Sequence, residues 1–75
     1  MATRKQALNI IAQHGGEVDW DISEITAHEK SICVDAPEGL MWNSSAAESF
    51  VIRWYSGPAS EFWDEVIYMA ESGAA

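Results

Sequence analysis

Hydrophobic positions recur at two different periods along this chain, and the clearest run lies near its end. Ala59, Phe62, Trp63, Val66, Ile67 and Ala70 fall at i, i+3, i+4, i+7, i+8 and i+11, one apolar stripe at the period of a helix. Ser60, Glu61, Asp64, Glu65 and Glu71 take the opposite side. Gly57-Pro58 suits the start of this helix and Ser72-Gly73 its end, while Glu61, Asp64 and Glu65 sit near the positive pole of the helix dipole. A second stripe, Ala7, Leu8, Ile11 and Ala12 widened by Ile10, predicts a helix from Arg4 to about His14. Thr3 is placed to cap it, His14 suits its negative pole, and Gly15-Gly16 stops it.

Between the two helices the period drops to two. Glu17 to Ile22 alternates strictly, which predicts a strand with Val18, Trp20 and Ile22 inward and Glu17, Asp19 and Asp21 outward. Ser31 to Ala36 reads as a second strand through Ile32, Cys33 and Val34. Leu40-Met41-Trp42 reads as a third, forming a hairpin with the second across the turn Pro37-Glu38-Gly39. Ser23 to Lys30 fits either continued strand or a short helical turn. Asn43 to Ser56 fits both periods as well. Ser45 and Glu48 have capping-box spacing, and Ala47, Phe50, Val51, Trp54 and Tyr55 share a helical face. Phe50 to Tyr55 is also dense in β-formers, and its length and the hairpin's need for partners favour a strand preceded by a loop over Ser44 to Ser49. Gly73 to Ala75 reads as a frayed end. The expected fold is α+β over a single small domain, residues 1–75: an N-terminal helix, a small antiparallel sheet of three to four strands and a C-terminal helix, in two layers around one core.

Composition changes this picture in two ways. Four Trp in 75 residues is a surplus that either fills a small core with large side chains or, since Trp is enriched where proteins bind one another, leaves indole for a partner. Trp42 and Trp54 are the candidates for that surplus. The net charge of −8 argues against direct binding to nucleic acid or to an anionic membrane, and makes a basic protein surface the natural partner. Between Glu17 and Glu38 seven acids face one base, Lys30, a local charge of −6. In an extended strand Glu17, Asp19 and Asp21 stand ~6.6 Å apart, with Glu24 beyond them, a spacing that can imitate a phosphate backbone. The outer face of any half-exposed strand is polar in the same way, so solubility alone also accounts for the pattern.

Other chemistry has little support in the residues. Cys33 is the only cysteine, which excludes an internal disulfide and a Cys-rich zinc site. Asp19, Asp21 and Ser23 have the spacing that opens a calcium loop, but Glu24 and Lys30 stand where that loop needs Gly and Glu. His14, His28 and Cys33 lack the paired spacing of a metal site. No nucleophile has a base near it in sequence, and so short a chain has little room for a catalytic pocket; no enzyme activity and no cofactor are expected. Leu8 to Ala12 is too short for a secretory core or a membrane span, which points to the cytoplasm.

Asp35-Ala36-Pro37-Glu38-Gly39 followed by Trp42, with a short helix before and a Trp-bearing helix after, resembles small accessory proteins encoded by bacterial viruses. The likeness covers Glu17 to Ser72 in layout; at residue level the Ala-Pro-Glu-Gly turn and Trp42 carry it. It implies a host bacterial cytoplasm and a class of proteins that bind and inhibit host machinery, including defence complexes that handle nucleic acid. It carries over no functional residue. The expected function is a small acidic protein-binding module, an inhibitor that docks on a basic surface of a larger bacterial protein, as a nucleic-acid mimic. Its expected contact residues are Glu17, Asp19, Asp21, Glu24, Trp42 and Trp54. The alternative is a structural domain that forms a homodimer through its surplus aromatics.

Overall fold

Ile32, Cys33 and Val34 are consecutive apolar residues, the pattern of a strand buried on both faces. They form the middle of the strand on which the sheet is built. The computed structural model describes residues 1–75 and orders its elements as α1 (Arg4–Gln13), β1 (Glu17–Val18), β2 (Glu24–Ile25), β3 (Lys30–Asp35), β4 (Ser49–Trp54) and α2 (Ala59–Glu71). β3 pairs antiparallel with the other three strands. Along one side it takes β4 over its whole length, from Lys30 opposite Trp54 to Asp35 opposite Ser49. Along the other side it takes β1 (Glu17 opposite Asp35) and then β2 (Ile25 opposite Lys30), two short pieces of one interrupted edge. Both helices lie on one face. Ile32, Val34, Phe50 and Ile52 join Ala7 and Ile11 of α1 and Phe62, Trp63, Val66 and Ala70 of α2 in a single apolar cluster. This is the expected α+β arrangement. No helix is long and apolar enough to cross a membrane.

The helices form where their stripes place them. The Thr3 hydroxyl accepts from the Gln6 backbone N–H, and the Gln6 side-chain oxygen accepts from the Thr3 backbone N–H, a reciprocal cap on α1. His14 caps its C-terminus. Of the predicted stripes, Ala12 and Ala59 are exposed, so each buried face is narrower than its periodicity. The ambiguous stretch after Asn43 resolves as the strand β4, preceded by a loop.

The hairpin over Leu40 to Trp42 does not form; β3 pairs with β4 instead. Trp42 leaves the sheet and inserts its side chain into the core, where it is 0% exposed and the largest fully buried side chain. Its indole N–H donates to the Val34 carbonyl at 3.0 Å, and its ring meets Phe50 edge-on at 5.3 Å. The expected third strand is therefore a loop with an anchor. Its flanks are tied to the end of α2: Met41 and Ala75 exchange backbone hydrogen bonds, and the Ser44 amide donates to the Ser72 hydroxyl at 2.9 Å. Gly73 to Ala75 is thus paired rather than frayed.

The Trp42 ring leaves no space at Gly16, where an added Cβ would meet its Cζ2 at 2.7 Å and Cη2 at 2.9 Å. Overpacking of that kind costs roughly 1–3 kcal/mol. Gly16→Ala is expected to lower the urea midpoint accordingly. In a Trp42→Phe background, which removes those ring atoms, the same change is expected to cost much less; equal penalties in both backgrounds would contradict the contact.

Candidate functional site

The sheet has two edges, and they are built differently. Between β1 and β2 five residues, Asp19 to Ser23, stand opposite only Ile32 and Cys33 of β3. The extra length rises out of the sheet as a bulged turn. The Asp19 amide still donates to the Cys33 carbonyl at 2.9 Å, as a strand residue would. The chain then turns: the Ser23 amide donates back to the Asp19 carbonyl at 3.1 Å, and the Asp21 amide to the Asp19 carboxylate at 3.1 Å. A carboxylate bonding the amide two residues on is the local turn that aspartate favours. Ser23 closes the bulge, its hydroxyl accepting from the Cys33 amide at 3.0 Å in place of a backbone carbonyl. The Asp19, Asp21, Ser23 spacing that resembles the start of a calcium loop is the signature of this turn.

The bulge overturns the expected alternation. Glu17, Asp19 and Asp21 do not form one straight row, because the strand ends at Val18. Trp20 and Ile22, expected in the core, are 49% and 64% exposed. Arg4 at the start of α1 stacks on the Trp20 ring at 5.4 Å. Two apolar side chains therefore stand in water on a short turn, with Asp19 and Asp21 between and beside them and Glu17 and Glu24 at its two ends.

The register adds an acid that spacing could not reveal. Glu17 lies directly opposite Asp35. Val18 and Val34 point to the core, so their neighbours Glu17 and Asp35 share the outer face. Like charges directly opposite one another in a sheet are destabilising. Beyond them, Glu38 and Glu48 border the same end of the sheet, in a shallow groove with Asp35 and Pro37. Arg4 reaches this edge at Trp20, and Lys30 and Arg53 border its Glu24 end in a second shallow groove. Lys30 stacks on Trp54 at 4.2 Å and donates to the Thr26 carbonyl at 2.8 Å, and Arg53 stands on β4.

Of the six expected contact residues, Glu17, Asp19, Asp21 and Glu24 come together along this edge. Trp42 does not join them, since it is buried in the core and unavailable to a partner or a second copy. Trp54 is on β4, half-buried beneath Lys30 with its indole N–H enclosed and unbonded; it lines one shallow groove with Glu24 but does not reach Glu17, Asp19 or Asp21. Trp20, Ile22 and Asp35 are the residues that sequence reasoning missed. Cys33 is buried under this outer face. Burial pushes its thiol above the usual range, the Asp35 and Asp19 carboxylates push the same way, and a hydrogen bond with Ser49 opposes them. No group of His, Cys, Asp and Glu is arranged to hold a metal ion. No protein-family model matches this chain, and no curated protein or solved structure matches it.

Ser23→Ala removes the acceptor for the Cys33 amide, and a buried donor left unpaired costs about 1–3 kcal/mol. The variant is expected to melt earlier and to react faster with thiol reagents. In the wild type the folded thiol holds its proton to higher pH than the unfolded chain does. Its contribution to stability is full below the unfolded thiol's pKa of about 8.5 and is lost as pH rises from there through the higher folded value. Labelling of the native protein at neutral pH should be slow; labelling as fast as in denaturant would contradict the burial.

Proposed function

We propose that this chain is a small protein-binding module, and that it docks its bulged acidic edge on a basic surface of a larger protein. The observation that carries the reading is the pairing of Trp20 and Ile22, both held out in water, with the carboxylates around them on one short turn. Exposed aromatic side chains are the residues that anchor interfaces when a partner desolvates them. The ring face of Trp20 already attracts one guanidinium, that of Arg4, and a partner's arginine suits it equally. The repulsion between Glu17 and Asp35 is relieved when a cation is placed between them, so binding to a basic surface recovers energy that the free fold loses. Carboxylates around the anchors speed the encounter and suppress acidic competitors. The resemblance to accessory proteins of bacterial viruses supports a bacterial partner that handles nucleic acid, with this edge occupying the place of phosphates and so inhibiting it.

Three forms of the protein, immobilised and exposed to bacterial lysate, test the reading: wild type, Trp20→Ala, and the quadruple change Glu17→Gln, Asp19→Asn, Asp21→Asn, Glu24→Gln. Asn at position 19 keeps an oxygen for the Asp21 amide. A partner retained by wild type is expected to be lost from both variants. Losing a central aromatic anchor costs at least ~2 kcal/mol, a drop in affinity of roughly thirtyfold. The association rate of that partner with wild type should fall steeply as salt rises, and the quadruple variant should have lost that salt dependence. Duplex DNA should compete for the same surface if the edge stands in for phosphates. Equal retention by all three forms would remove the site, and retention without competition would keep the module and discard the mimicry.

A further inference from the structure

The opposite edge of the sheet is undefended, and we infer that it joins two copies of this chain. β3 turns the N–H and C=O of Cys33 toward Asp19 and Ser23. Backbone groups alternate in direction along an antiparallel strand, so Ile32 and Val34 turn theirs toward β4 and bond to Ile52 and Phe50. Val51 and Arg53 of β4 therefore turn their N–H and C=O away from β3, and no other strand pairs with β4. The Ser49 carbonyl, which points the same way, accepts from the Ser45 hydroxyl at 3.3 Å.

Natural sheets blunt a free edge with a bulge, a proline, charged side chains or a very short strand. The β1/β2 edge has three of these devices: two-residue strands, a bulge and acids on every side. β4 runs six residues with neither bulge nor proline, and Arg53 is its only charge. Val51 is 49% exposed at its middle, and Tyr55 just beyond it is 83% exposed.

The occupant is chosen by charge. Two copies at −8 each repel through most of their surfaces. β4 itself carries no acid and one base, Arg53, which shares a groove with Glu61 and Glu65 of α2 at the strand's C-terminal end, while Glu17, Asp19, Asp21 and Glu24 belong to the opposite edge, so β4 is the less acidic of the two edges of the sheet. β4 is also complementary to itself when two copies run antiparallel about a two-fold axis at Val51. Val51 then meets Val51 of the second copy and Ser49 meets Arg53, with no like charges opposed. Glu48 of each copy comes alongside Trp54 of the other, over which Lys30 is stacked. A two-fold axis through Arg53 would oppose two guanidinium groups instead. The resulting sheet runs unbroken through both copies, with all four helices on one face and both acidic edges at its ends. This inference does not depend on the partner proposed above.

Sedimentation across a concentration series, with wild type, Val51→Lys, Val51→Glu and an equimolar mixture of the two variants, tests both interface and register. Wild type is expected to dimerise as concentration rises, each variant alone to stay monomeric, and the mixture to form heterodimers through Lys opposite Glu. Circular dichroism checks that the variants keep the fold; the side chain at position 51 is half-exposed, on the face away from the helices. In wild type, with no substitution, the Val51 and Arg53 amides should exchange with deuterium quickly when dilute and slowly when concentrated. Wild type that remains monomeric with both amides unprotected at high concentration would overturn the inference. A Val51→Lys dimer as strong as wild type would overturn it too. A Val51→Glu homodimer would overturn the register, since it would mean that position 51 faces Arg53 of the other copy.

Discussion

The burial of Trp42 is the constraint on which the rest depends. A chain this short buries little surface, and the cluster around its helices and sheet has few members to spare. One indole fills its centre, with the N–H answered by Val34, the ring edge-on to Phe50 and Gly16 giving way beneath it. Truncating a buried Trp typically costs ~3–5 kcal/mol, a large part of the stability of a small domain. The anchor also sets the topology. With Trp42 drawn inward, the segment around it cannot serve as a sheet strand, so β4 takes the whole length of β3. The same segment is stapled to the end of α2, which holds that helix over the sheet.

A filled core has a consequence at the surface. With Trp42 and Trp63 inside, Trp20 is left over, and the bulge carries it out to water with Ile22. The two edges of the sheet then differ in kind. One is broken, acidic and carries two exposed apolar side chains, Trp20 and Ile22. The other is a regular six-residue strand with Arg53 as its own single charge. The proposed module and the proposed dimer would use these two edges by opposite rules of recognition.

What the sequence disclosed follows from the range of the forces involved. α1 and α2 are written in local periodicity and local caps, so Thr3, Gln6, Phe62 and Val66 announce them. β3 is legible because three apolar residues in succession leave few alternatives. β4 is legible from its β-formers once a sheet is assumed. The bulge is not, because Asp-Trp-Asp-Ile alternates as a buried strand does. What ends the strand at Val18 is the hydroxyl of Ser23 bonding the Cys33 amide, ten positions away. The place of Trp42 is hidden for the same reason: a nearby turn suggests a hairpin, while its indole bonds to Val34 and takes the space at Gly16. Four of the expected contact residues lie along the acidic edge, since their negative charge keeps them out of the core. Asp35 joins them only through strand register, which no spacing within one segment encodes.

Hydrogen exchange at the indole nitrogens, followed by NMR, tests the division of the four tryptophans directly. The Trp42 N–H, hydrogen-bonded and fully buried, should exchange only when the whole protein unfolds. The Trp20 N–H, on a half-exposed ring, should exchange rapidly under the same conditions. A Trp20 signal as protected as that of Trp42, or a Trp42 signal that exchanges without global unfolding, would contradict the account.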